Sequence, residues 1–147
     1  MKTFPGALTL MAVVLSFAAN AQQAKHFDDY TVHYNALNSN FISPEVAKVY
    51  DIRRSGSRAL INVSVLKNTK NQAPAPVKAT VSASGRNLTG QTREVEMREI
   101  IEGGDAIYYI GELSVSNMET FDFTLLVIPE GLNKPFEVKF RKQFYTE

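Results

Sequence analysis

Cysteine is absent from all 147 residues. That removes disulfides, thiolate metal sites, cysteine nucleophiles and lipid attachment at cysteine together. Histidine is scarce, with two residues, so ring-nitrogen chemistry rests on His26 and His33 alone. Neither sign of charge dominates: sixteen Lys and Arg stand against fifteen Asp and Glu, and the two balance once Lys2 is set aside. That balance excludes a basic nucleic-acid binder and a polybasic membrane-surface protein. Long apolar runs are missing too. Ala7 to Phe17 is the longest candidate, and it is shorter than the roughly 20 residues that cross a bilayer.

That run sits in an N-terminus with the layout of an export signal. Lys2 gives the positive start, Ala7 to Phe17 the apolar stretch, and Ala19-Asn20-Ala21 the small-x-small pattern that signal peptidase accepts. Cleavage is expected between Ala21 and Gln22, leaving residues 22–147 as one soluble domain with no membrane span. With no cysteine after the cleavage point it is not a lipoprotein, and the expected compartment is a Gram-negative periplasm. An oxidising compartment without cysteine means a fold that relies on its core.

Most of residues 22–147 alternates with period two, the mark of half-buried strands. Tyr30, Val32, Tyr34 and Ala36 share one face of a first strand; Ile61, Val63 and Val65 line a second; Val77, Ala79, Val81 and Ala83 a third. A fourth is expected over Gln91–Ile101, with Val95 and Met97 inward and a break in phase at Ile100-Ile101. Glu102-Gly103-Gly104-Asp105 is a hairpin turn leading into a fifth strand, Ala106–Val115. Phe121–Ile128 and Phe136–Phe144 complete the set. Between the first two strands Ser43 is a suitable N-cap and Pro44 a suitable first helical residue. Val46, Val49 and Tyr50 form the expected inward stripe of a short helix. Seven strands and one helix describe an all-β protein, an immunoglobulin-like antiparallel β-sandwich, with a small β-barrel as the alternative.

The chemistry-bearing residues form no familiar catalytic pattern. His26 falls in an expected flexible start. His33 lies on the polar face of the first strand, four residues from Asp29, which is about 13 Å along a strand, too far to share a metal at roughly 2 Å. His33 is thus a weak metal candidate, needing ligands from other strands. No Gly-x-Ser-x-Gly elbow is present. Glu94 and Glu96 fall about 6.6 Å apart on one strand face, a spacing near that of inverting glycosidases. Their alternation with Val95 and Met97 is nevertheless that of a solvated face. Arg53, Arg54 and Arg58 flank Ser55-Gly56-Ser57, a candidate anion loop in which guanidinium forks would grip an oxyanion. Tyr108 and Tyr109 point to opposite faces, so one should leave the core as a contact residue; Tyr109 is the expected one. Asn62-Val63-Ser64 and Asn87-Leu88-Thr89 match the glycosylation sequon, silent in a bacterial periplasm.

The run Asp29-Tyr30-Thr31-Val32-His33-Tyr34-Asn35-Ala36, followed by Phe41-Ile42-Ser43-Pro44-Glu45-Val46-Ala47-Lys48, resembles the exported bacterial family known as domain of unknown function 4426. Gly111-Glu112-Leu113 and Phe136-Glu137-Val138-Lys139-Phe140 fit it as well. The resemblance implies an exported, single-domain, all-β protein and no particular activity. The expected function is therefore a non-catalytic interaction or accessory module of the cell envelope. It would carry no cofactor, act as a monomer or weak oligomer, and bind an envelope protein or polymer through loops and a sheet edge. The alternatives are a metal- or anion-binding protein or an enzyme built on His33 or the arginine loop, and a small-ligand carrier with its pocket between the sheets.

Overall fold

The computed structural model describes residues 23–104 and 106–147. The expected export signal over 1–21, its cleavage point at Ala21 and Gln22, and Asp105 of the hairpin turn lie outside the described residues.

Ten β segments form two antiparallel sheets. One has the order β1 (Gln23–Phe27), β2 (Tyr30–Asn38), β3 (Arg58–Lys67), β8 (Ala106–Ser114) and β7 (Arg98–Glu102), with the two-residue β4 (Ala75–Pro76) also paired to β3. The other has the order β10 (Phe136–Phe144), β9 (Glu119–Pro129), β5 (Ala79–Asn87) and β6 (Thr92–Val95). The sheets do not join into a closed barrel, so the fold is a sandwich. Six of the seven expected strands are present as single strands and the fourth is divided, and the additional segments have local causes. Residues 23–27 pair with β2 through a tight turn in which Asp28 takes φ 49°, so His26 belongs to a strand rather than a flexible start. Its Nδ1 lies 3.0 Å from Thr31 Oγ1 across that hairpin.

The expected fourth strand divides. Thr92–Val95 pairs with β5, and Arg98–Glu102 pairs with β8 in the opposite sheet. Glu96 and Met97 carry the chain across, and Gly111 of β8 makes room for the passage. A Cβ there would sit 2.5 Å from Met97 Sδ, 2.6 Å from Val95 Cγ1 and 2.8 Å from the Glu96 carbonyl oxygen. Gly103 and Gly104 both have positive φ, 60° and 75°, as the hairpin turn requires.

Aromatic rings fill the space between the sheets. Phe121, Phe123 and Phe144 are fully buried. Phe123 stacks on Phe140 at 5.1 Å, and Phe140 meets Tyr34 of the other sheet at 4.9 Å. Phe27 and Tyr30 close the same side against Phe136. Interdigitated rings of this kind bury large apolar areas, and they occupy the space where an inter-sheet carrier would hold its ligand.

Candidate functional site

A second, smaller apolar layer lies on the outer face of the six-stranded sheet. Ala59-Leu60-Ile61 and Tyr109-Ile110 are buried without a break, which alternation forbids for a strand with one wet face. Leu60 and Ile110 point outward from the sandwich and pack with Ala47 and Ile52, joined by Leu37, Ile42, Tyr50 and Ile100. The cover is α1 (Pro44–Val49).

Six residues cannot hold a helix by backbone bonds alone, and this one is held from both ends. The Ser43 hydroxyl accepts from the Val46 amide at 3.3 Å, and Pro44 starts the helix as expected. At the other end Asp51 takes φ 53°. The Ile52 amide donates back to the Ala47 carbonyl at 2.8 Å and the Asp51 amide to Lys48 at 3.5 Å, the Schellman arrangement with its apolar contact between the residues it joins. Arg98 of β7 donates to the Tyr50 and Asp51 carbonyls and fastens this end to the sheet. That register turns Ala47 inward. Val46 and Val49, expected inward, are instead exposed, at 43% and 74%, as is Phe41 at 75%. The expected stripe fails because so short a helix buries only one position, and the flanking Ile42 and Ile52 supply the rest.

The cover is incomplete. Between α1 and the sheet lies a pocket of about 180 Å³ lined by Ile42, Val46, Tyr50, Ile52, Leu60, Asn62, Ile100, Glu102, Tyr108 and Ile110. Asn62 stands opposite Asn35 in the β2–β3 register and opposite Ile110 in the β3–β8 register. The side-chain oxygens of Asn35 and Asn62 are both buried without a hydrogen-bond partner, an arrangement that costs about 1–3 kcal/mol for each group. Burial raises the Tyr50 phenol above its ordinary range, and the Glu102 carboxylate raises it further.

Tyr108, not Tyr109, is the tyrosine that leaves the core and lines this pocket. Leu113 and Val115 are buried, and the two-residue repeat carries Tyr109 to the same inner side. Its ring is 4% exposed. The Ala79 amide donates to its hydroxyl at 2.8 Å, and the hydroxyl donates to Glu99 Oε2 at 2.9 Å, with Lys78 Nζ 3.8 Å from the other oxygen. Tyr109 thus ties one sheet to the other, and its partners Ala79 and Glu99 line an open, polar groove of about 370 Å³ together with Lys78, Thr80, Glu130 and Leu132 among others.

The three arginines do not converge. Arg54 donates through Nε to the Ile42 carbonyl at 2.7 Å and through Nη2 to that of Asn40 at 3.1 Å. Arg58 Nε pairs with Glu112 Oε1 at 3.6 Å, while Arg53 is exposed. The Ser/Gly loop between them closes on buried Ser39, whose hydroxyl donates to the Arg53 carbonyl at 2.6 Å and accepts from the Ser55 amide at 2.9 Å. Asn38 holds the Gly56 carbonyl at 2.7 Å. This loop presents its backbone to the protein interior rather than to an anion.

His33 stands on the outer face opposite Ser64 and Ala24, and among the described residues no three of His, Cys, Asp and Glu come together to hold a metal ion. Glu94 and Glu96 are exposed, on a segment that leaves one sheet for the other. Asn87 is buried, with its amide nitrogen donating to Gln91 and Glu119, so that sequon is spent on holding its own hairpin. Among the described residues no helix is long and apolar enough to cross a membrane.

Comparison with known proteins points in one direction. The model of the family described as domain of unknown function (DUF4426) matches residues 24–147. A crystal structure of a DUF4426 family protein from Pseudomonas aeruginosa PAO1 is 34% identical, with a TM-score of 0.72, over 85% of this chain and 95% of that one. No curated protein matches the chain.

Proposed function

The chain belongs to the DUF4426 family, and from that premise we propose that it is a non-catalytic binding module of the bacterial cell envelope that docks a protein partner through the pocket beside α1. The export signal in residues 1–21 supports the periplasm as its compartment. The observation that carries the reading is apolar surface left wet: Val46 of the pocket wall is 43% exposed, and Phe41 and Val49 stand in solvent on the same 41–49 segment, beside a cleft whose walls are largely aliphatic and aromatic. Apolar side chains grouped at one place are costly to leave wet, and such groups mark interaction surfaces. The pocket is below the roughly 300–1,000 Å³ of sites for drug-sized ligands, and its size suits one anchoring side chain of a partner.

The test is cross-linking in cells of tagged protein in three forms: wild type, Val46→Glu on the exposed wall of the pocket, and Lys139→Glu on the opposite sheet. A partner recovered with wild type and Lys139→Glu and lost with Val46→Glu supports the reading. Equal recovery with all three counts against it.

A further inference from the structure

We infer that the pocket takes an aliphatic side chain of leucine size together with an uncharged hydrogen-bond acceptor, the backbone carbonyl that accompanies that side chain in the partner protein. This rests on the docking reading above and names what the partner presents. The first argument is the walls, where Ile42, Ile52, Leu60, Ile100 and Ile110 suit an aliphatic body. The second is size. About 180 Å³ slightly exceeds the roughly 150 Å³ of a cavity that holds one benzene ring. A leucine side chain is smaller than that ring and leaves space for a carbonyl beside it.

The third argument is the polarity of what remains. The Asn62 side-chain oxygen is buried and shut off from the pocket. Among the described residues, the Asn62 amide nitrogen and the Tyr50 hydroxyl are left as uncommitted donors of the lining. Solvent can satisfy them while the pocket is open. An occupant that displaces solvent must bring an acceptor or leave them unpaired. A purely hydrocarbon anchor fills the walls and incurs that penalty, by which polar sites reject apolar analogues. An asparagine or glutamine anchor supplies an acceptor but sets its amide against isoleucine walls. A carboxylate meets the charge of Glu102 on the same lining and must leave water to enter. A backbone carbonyl beside an aliphatic side chain brings the acceptor without a charge.

The experiment titrates protein purified after export with three ligands of one shape, followed by amide chemical shifts. Isoamyl methyl ketone reproduces a leucine side chain with its carbonyl. The hydrocarbon with a methylene group in place of the carbonyl oxygen removes the acceptor, and isocaproate adds a charge. The ketone is expected to move the resonances of Ile42, Ala47, Leu60 and Ile110, and isocaproate to bind several-fold more weakly. The ratio of ketone to hydrocarbon affinity is expected to fall about five- to tenfold from wild type to the double variant Tyr50→Phe, Asn62→Leu, the worth of one net hydrogen bond. Tyr50→Phe alone keeps the ring and removes one oxygen, and the isocaproate comparison uses wild type, so a double variant that fails to fold decides nothing by itself. An unchanged ratio in every folded variant, isocaproate binding as tightly as the ketone, or no pocket shifts with any ligand overturns the inference. Each of these leaves the docking reading in place, because that reading is decided by partner recovery with Val46→Glu.

Discussion

The two outer faces of this sandwich are built on opposite plans. On the four-stranded sheet, Glu137, Lys139, Arg141 and Gln143 alternate with core residues along β10. Arg141 and Asp122 form a two-pronged pair at 2.7 and 2.9 Å. Water can solvate this face fully, and an edge strand bearing lysine and arginine resists pairing with another chain. The outer face of the six-stranded sheet instead carries Leu60, Ile110 and Ile100 under a six-residue helix and places Asn35 and Asn62 side by side with unpaired oxygens. The first face is complete as it stands. The second has apolar groups without full cover and two buried amide oxygens without donors, and these unmet interactions, rather than the size of a depression, support the binding role proposed for it. The larger groove near Tyr109 fits this lesson, because its tyrosine, glutamate and lysine already satisfy one another.

The comparison breaks most completely at Gly111, where the chain passes between the sheets. Gly111→Val must displace the Glu96 backbone as well as two side chains, and a loss of about 3 kcal/mol or more is expected in denaturant unfolding. A loss below about 1 kcal/mol would mean the crossing has room to move.

Truncation sharpens the contrast between the faces. Leu60→Ala, at a site 3% exposed, is expected to cost about 2–3 kcal/mol. Leu126→Ala, on the outer face of the four-stranded sheet and 38% exposed, is expected to cost about 0.5 kcal/mol or less. Similar losses at the two sites would show that the layer under α1 is no true second core.

The smallest effect is confined to alkaline pH. Burial, aided by Glu99, pushes the Tyr109 phenol up to about 12 from an ordinary 10.0. The folded state therefore keeps a proton that the unfolded chain releases. The stability linked to Tyr109 is complete below pH 10 and is lost as pH rises through about 12. Unfolding followed across that window should show a decline that is shallower in Tyr109→Phe; identical slopes would place the shift elsewhere.

Much of the fold is legible in the sequence because its causes are local. Alternation marks the strands, Ser43-Pro44 starts the helix, and Gly103-Gly104 makes the turn. The site is less so. The unbroken apolar runs Ala59-Leu60-Ile61 and Tyr109-Ile110 announce a second buried face, and the phase of Leu113 and Val115 places Tyr109 inside and Tyr108 outside. Which strands bring Asn35 opposite Asn62 depends on register, and the change of sheet at Glu96-Met97 depends on a glycine fifteen residues later. Arg54 and Arg58 misled for the same reason: their partners, the Asn40 and Ile42 carbonyls and Glu112, are set by tertiary contact.

The most direct measurement places a photo-cross-linking residue at position 46, on the exposed wall of the pocket, and separately at position 139, on the opposite face, in protein exported by living cells. One discrete adduct is expected from position 46, and none from position 139. The same adduct from both positions, or from 139 alone, would contradict it.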